Sequence, residues 1–329
     1  MQAAPLAGPA AGGTTRRSPA PAPTSAREKK TMHKAHTLLL LAAPALFAAT
    51  AAVAKEGPDQ YPNGSENFMT GALPPPGNYF INYLGHYEGD YRDNQGKKVP
   101  GLSVNATFDA LRFIHVTPHK ILGGDWGMQV IVPVAYQKLH TPIPGIGTGS
   151  TFGLGDIVID PLIIGWHFPP DWHLTIGLDI YLPTGKYSDS NPTESIGANY
   201  YSFEPIVAFT YLNQGGFEVS AKLMYNIKTK NNDTDYKSGQ DFHMDYLVGQ
   251  HFGPWAVGLA GYYLTQTTDD EVGGRKAAPD GRRGKVFAYG PAVQYNYKGT
   301  SFVGSWNHET GVDNRFQGNK FFLKLVTGF

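Results

Sequence analysis

Along much of this chain apolar and polar residues alternate with a period of two, the pattern that sends successive side chains to opposite faces of a β-strand. The cleanest run is Trp172 to Leu182, where Trp172, Leu174, Ile176, Leu178, Ile180 and Leu182 alternate with His173, Thr175, Gly177, Asp179 and Tyr181. From Phe217 to Lys228, the row Phe217, Val219, Ala221, Leu223, Tyr225 and Ile227 opposes Glu218, Ser220, Lys222, Met224, Asn226 and Lys228. Between Asn199 and Tyr211 the outward set is Tyr201, Phe203, Pro205, Val207, Phe209 and Tyr211, with Ser202, Glu204 and Thr210 inward. Phe242, Met244, Tyr246 and Val248 alternate with His243, Asp245 and Leu247. Trp126, Met128, Val130, Val132, Val134 and Tyr136 form a further apolar row, opposite a face blurred by Ile131 and Pro133. Pro161 and Pro205 lie within strands and predict bulges. Around Asp109, Arg112, Asp156 and Asp160 the alternation breaks, and it does not assign their facing.

The connections alternate in length. Turn formers mark short ones at His119–Gly124, Phe168–Asp171, Asn213–Gly216, Gly253–Pro254 and Lys298–Thr300. Longer polar segments fall at Gly89–Gly101, Thr141–Gly155, Thr184–Gly197, Thr229–Gly239 and Thr268–Gly284, and a shorter one near Gly311–Asn314. Strands of about ten residues joined by alternating short and long connections are the signature of a transmembrane antiparallel β-barrel, here of about 12 strands, with short turns and both termini on the periplasmic side. The competing fold is a secreted soluble β-sandwich or jelly roll, and a sandwich requires neither alternating loop lengths nor strands this long. The last strand carries Phe321, Leu323, Leu325, Thr327 and the terminal Phe329 on one face.

Composition supports a non-aqueous face: 13% of the 329 residues are aromatic and only 16% charged, against roughly 25% charged in soluble domains. A formal net charge of zero, with no basic run in the mature chain, excludes the electrostatic footprint of nucleic-acid binding. With no cysteine, neither disulfides nor thiolate metal sites are available. Residues 1–31 are rich in Ala and Pro and read as a disordered or untranslated extension. From Met32, a basic start at His33 and Lys34, an apolar run from Leu38 to Phe47 and the triplet Ala52, Val53, Ala54 read as a signal peptide over 32–54, cleaved after Ala54. Residues 55–76 are then a periplasmic N-terminal segment or plug, and 77–329 the barrel. The prolines of ALPPPG stiffen the approach to the first strand. Glu66, Asn67, Phe68, Pro74, Pro75 and Pro76 are plug candidates, on the expectation that Glu66 to Pro76 folds back into the periplasmic mouth.

Charged side chains must avoid lipid, so Asp179, Glu204, Glu218, Lys222, His243, Asp245 and Lys324 are expected to face the interior and are the pore-lining candidates. A lipid hydrolase would need Ser, His and a carboxylate or amide together. The nearest sets are Ser238 with His243 and Asp245, and Ser305 with Asn307 and His308, neither in a nucleophile motif. His115 with His119, or His167 with His173, lack recurring metal-ligand spacing.

The stretches GSENFMTGALPPPGNYFINYLGHY (64–87), GLGDIVIDPLIIGWH (153–167), LPTGKY (182–187), IGANYYSFEPIVAFTYL (196–212), NNDTDYKSGQDFHMDY (231–246) and GYYLTQTTDD (261–270) together resemble the meta-pathway phenol-degradation family. The resemblance implies an outer-membrane barrel associated with aromatic catabolism and lends no catalytic residues. The expected function is passive uptake of a small hydrophobic or aromatic compound through the Gram-negative outer membrane. The alternatives are an outer-membrane lipid hydrolase and a structural barrel without a transport role. No cofactor or metal is implied. The expected partners are membrane lipids, the outer-membrane assembly machinery and the cargo, with the oligomeric state left open.

Overall fold

The structure, a computed structural model, describes residues 59–329. The extension at 1–31, the signal peptide at 32–54 and residues 55–58 lie outside the described residues. In chain order the strands are β1 (Gly77–Arg92), β2 (Lys98–Ile121), β3 (Gly124–His140), β4 (Thr148–Leu154), β5 (Val158–Phe168), β6 (Trp172–Tyr181), β7 (Ser202–Leu212), β8 (Phe217–Lys228), β9 (Tyr236–Lys237), β10 (Asp241–Phe252), β11 (Trp255–Gln266), β12 (Glu271–Val272), β13 (Arg275–Lys276), β14 (Lys285–Tyr297), β15 (Thr300–Asp313) and β16 (Arg315–Gly328). A single turn of 3₁₀ helix, Pro192–Glu194, lies in the connection after β6.

All neighbours pair antiparallel, and β1 pairs with both β2 and β16, so the sheet closes on itself. The short β4 pairs with the upper part of β3 and β5 with its lower part, so these two make one stave and 12 staves form the barrel. β9, β12 and β13 form a separate small sheet above the long-loop end. The short turns close as expected: Leu122–Gly123 and Lys298–Gly299 both take positive φ at two successive residues, the hairpin geometry that matches strand twist.

Backbone pairing around a closed ring leaves no unsatisfied edge, which is what allows a sheet to face hydrocarbon. The outward rows read from the sequence are the outward rows of the barrel. Leu259, Leu323 and Phe302 stand 53%, 64% and 46% exposed on the wall while their neighbours Ala260, Lys324 and Val303 are buried. Aromatics mark both ends of the apolar band, with Trp172 against Tyr211 and Trp255 against Tyr295 at the tight-turn end.

Three local readings change. The connection expected over 141–155 contains β4, because the hairpin with β3 rises beyond the apolar band. Pro205 makes no bulge: the β7–β8 register is the same on both sides, and the ladder merely skips Glu204 and Pro205, where proline has no N–H to donate. Pro161 does sit at a bulge, with β5 out of step against both β3 and β6. There the Asp160 carboxylate accepts from the Leu162 and Leu178 amides at 2.8 and 3.0 Å, replacing ladder bonds that the bulge removes. Register also assigns the facings that alternation left open: Arg112 points into the barrel and Asp109 out of it.

Candidate functional site

Inward-pointing residues of the staves converge on one stretch of chain, residues 59–73, which occupies the barrel interior. Its upper end is held among the long loops. Asp59 pairs with Arg315 beside the last turn. The Gln60 amide donates to Asp156 at 2.8 Å, and the Ser202 hydroxyl donates to the Gln60 carbonyl at 2.5 Å. Asp156 also accepts from the amides of Gly185 and Ala198, tying the segment to the connection after β6.

At mid-height the contacts come from all sides. Asp245 of β10 accepts from the Tyr61 hydroxyl at 2.7 Å and from the backbone amides of Gly64 and Glu66 at 2.8 and 3.0 Å. Lys222 of β8 sits 4.6 Å from the centre of the Tyr61 ring and 3.9 Å from Asp179. From the opposite wall, Lys320 and Lys324 of β16 donate to the carbonyls of Asn63 and Ser65. The Glu66 carboxylate receives Arg112 at 2.7 Å, the Tyr83 hydroxyl at 2.8 Å and Lys324 at 3.2 Å. Arg112 in turn donates to Gln129, whose amide donates to Asp179 at 2.7 Å, so the anions and cations form a belt around the segment.

Lower down, Glu218 accepts from the Met69 amide and from Ser220, and faces His251, each at 2.5 Å. Gly71 donates to Thr210 and accepts from Thr175. Two apolar side chains seat the segment. Phe68 packs among Leu247, Ala256, Ala260, Ala292 and Val303. Leu73 packs among Ile81, Ala110, Ile114, Val116 and Ile163, over Gly165, where any Cβ would come within 2.5 Å of the Leu73 side chain.

The seven residues expected to face the interior all do so, and none is more than 8% exposed. They are engaged with the N-terminal segment or with one another. Glu204 is held by Tyr181, Asn226 and His243 at 3.0, 2.7 and 3.0 Å. Of the plug candidates, Glu66, Asn67 and Phe68 lie inside the barrel, whereas Pro75 and Pro76 are exposed at the tight-turn rim, with the Pro75 carbonyl accepting from Tyr79. The segment thus fills the interior from the long-loop end downward, rather than only the mouth. Sequence reasoning missed Tyr61, Tyr83 and Lys320 and left the facing of Arg112 open. Tyr83 and Arg112 follow from parity once the β1–β2 register is fixed; Tyr61 lies in a stretch with no periodicity.

A cavity of about 10 Å³, room for a single water, remains beside the segment between Tyr61, Asn63, Asn226 and His243. The hydrolase sets do not assemble. The Ser238 hydroxyl is buried and unpartnered, His243 is bonded to Glu204, and Asp245 to Tyr61. His308 faces outward to Asn319 while Ser305 and Asn307 are buried.

A family model described as "Putative MetA-pathway of phenol degradation" matches residues 89–325. Among solved structures, the COG4313 outer membrane channel from Pseudomonas putida F1 aligns over 80% of this chain and 99% of its own, with a TM-score of 0.70 and 14% identity. The β domain of the Bordetella autotransporter BrkA aligns over 77% and 100% at 0.45 and 13% identity. The TodX deltaS2S3 mutant monoaromatic hydrocarbon channel aligns over 82% and 94% at 0.42 and 10% identity. No curated protein matches the chain.

Proposed function

Because the chain belongs to this phenol-degradation family, we propose that it is an outer-membrane channel for passive uptake of a small hydrophobic or aromatic compound, kept closed at rest by its own N-terminal segment. The observation that carries this reading is the filling of the lumen by residues 59–73. A barrel built only to reinforce the membrane could fill its interior with stave side chains, as small packed barrels do. This one is filled by a separate stretch of backbone that, among the described residues, pairs with no strand of the sheet and is held mainly by side-chain hydrogen bonds and ion pairs. Such bonds exchange for water at a small net change in free energy each.

Passage then requires residues 59–73 to shift, and the charged belt supplies the polar surface that water covers when they do. The channel named for the TodX variant carries monoaromatic hydrocarbons, and the family description points to the same class of cargo. Secretion through a cleaved signal peptide and insertion by the outer-membrane assembly machinery complete the reading. The test is uptake of labelled phenol, toluene and a long-chain fatty acid by intact cells at limiting concentration, with the gene deleted and restored. A complemented loss for one class supports the channel and names its cargo. Unchanged uptake of all three, with normal growth on each, refutes it.

A further inference from the structure

Two levels of the lumen are lined differently. Where the segment carries Glu66, the staves present Arg112, Lys324 and Asp245 to it. Below Asp245, alternation along β10, β11 and β14 turns Gly249, Ala256, Gly258, Ala260 and Ala292 inward. Residues this small leave a recess in the wall, and the Phe68 ring of the segment occupies it, bounded also by Leu247 and Val303. A Cβ at Gly249 would stand 3.1 Å from Phe68 Cε1, so the glycine makes room for the ring. His251 meets the ring edge-on, with ring centres 5.8 Å apart. Two observations distinguish this site from ordinary core. The residue after Phe68, Met69, takes a φ of 58°, in the left-handed region that disfavours any residue but glycine. Beside the recess, the Ser305 hydroxyl has no protein partner although the residue is only 8% exposed. Register places Ser305 directly across from Ala292 and one pleat above Val303, two of the residues that bound the ring. Buried polar groups are rarely left without a hydrogen bond.

We infer that this recess is a binding site for a single aromatic ring bearing a hydroxyl group, and that Phe68 occupies it in the closed channel in competition with that ligand. The inference rests on the uptake reading above and adds where the cargo binds and how its binding opens the channel. Beyond its Cβ the Phe68 side chain is a benzene ring, so a site that holds it holds a one-ring compound of the same width. Such a ring makes the same contacts with Leu247, the alanines and Val303. A hydroxyl on it gives Ser305 the partner that the hydrocarbon ring of Phe68 lacks, with either group able to donate. The exchange keeps the recess filled, so the wall loses no hydrophobic contact, and it releases Met69 from its left-handed conformation. It also frees one of the two apolar anchors of the segment. A ligand that binds only where Phe68 has left shifts the population toward the state in which residues 59–73 are loose.

The test uses the purified barrel in detergent, with heat-modifiable gel mobility verifying that each variant is folded. The probes are 4-fluorophenol and 4-fluorotoluene, followed by fluorine NMR against protein-free micelles. The wild-type barrel is expected to bind 4-fluorophenol, and Phe68→Ala to bind it about tenfold more tightly, because no ring has to leave first. Ser305→Ala weakens 4-fluorophenol about fivefold, the worth of one hydrogen bond, and leaves 4-fluorotoluene unchanged. The chain has no cysteine, so a spin label on Thr70→Cys reports the segment in an otherwise wild-type barrel, and it gains mobility as 4-fluorophenol is added. The inference is overturned by no binding to the wild-type barrel, an affinity indifferent to Phe68→Ala, a Ser305→Ala effect that is absent or equal for the two probes, or a Thr70 label that stays fixed at saturating 4-fluorophenol. Should Phe68→Ala not fold, the label and Ser305→Ala decide the question. Loss of aromatic uptake on gene deletion with no binding at the recess refutes this site and keeps the channel; binding that follows Phe68 and Ser305 with unchanged uptake keeps the site and refutes the channel.

Discussion

The N-terminal segment is attached to the barrel in two physically different ways. From Asp59 to Glu66 it is held by carboxylates, ammonium groups and two guanidinium groups, with the carboxylates of Asp245 and Glu66 each making three bonds across the boundary between segment and wall. From Phe68 to Leu73 it is held by two apolar side chains in pockets, backed by single bonds to Glu218, Thr210 and Thr175. The upper contacts can be traded for water as they break, and several polar atoms there, such as Asn63 Oδ1 and His243 Nδ1, have no protein partner at all. The lower contacts cannot be traded in this way, since exposing Phe68 or Leu73 loses hydrophobic burial outright. The upper part is therefore the portion suited to loosen first, pivoting on the anchored lower part.

The strongest way to break this contrast is to remove residues 59–73. Conductance in planar bilayers and sugar entry into liposomes are expected to rise about tenfold or more if those residues occlude the pore; unchanged permeability would refute the occlusion. Next in size is Phe68→Ala, which takes a large side chain from a packed site at a cost of about 3–5 kcal/mol. A spin label at Thr70 is expected to become mobile, with little dependence on salt. Asp245→Asn is smaller, about 1.5–3 kcal/mol, because the amide keeps one acceptor oxygen while losing the charge. It should mobilise a label at Ser65 and leave one at Thr70 ordered; equal mobilisation of both labels would erase the distinction between the two parts. The smallest effect lies outside the lumen, in the connection over 267–284. Hydrogen bonds from Arg283 and Lys276 hold the Asp269 carboxyl below the usual aspartate range. Its contribution is thus present at neutral pH and lost only as pH falls through that lowered value. Hydrogen exchange in this connection is expected to stay unchanged on mild acidification and to rise only in stronger acid, a control against which lumenal changes are measured.

Much of the barrel was legible because lipid imposes a strict rule. Every second residue of a spanning strand must be apolar, so Trp172–Tyr181 and Phe217–Lys228 declare both their structure and their facing. The same rule returned Asp179, Glu204, Glu218, Lys222, His243, Asp245 and Lys324 as interior residues. It failed where the constraint relaxes. β4 rises above the band, the Pro161 bulge shifts parity, and on β2 an outward Asp109 and an inward Arg112 look alike to a period-two reading.

What those interior residues do could not be read at all. Residues 59–73 carry no periodicity because they belong to no regular element, and much of their order comes from partners far along the chain, as when Asp245 binds Gly64 or Lys324 binds Ser65. The sequence by itself determined that a closed sheet spans the membrane and which faces it turns to lipid, since those follow from local alternation and loop length. Only the tertiary structure decided how far residues 59–73 run into the barrel and which side chains hold them there, because strand register and ring closure bring those distant groups together.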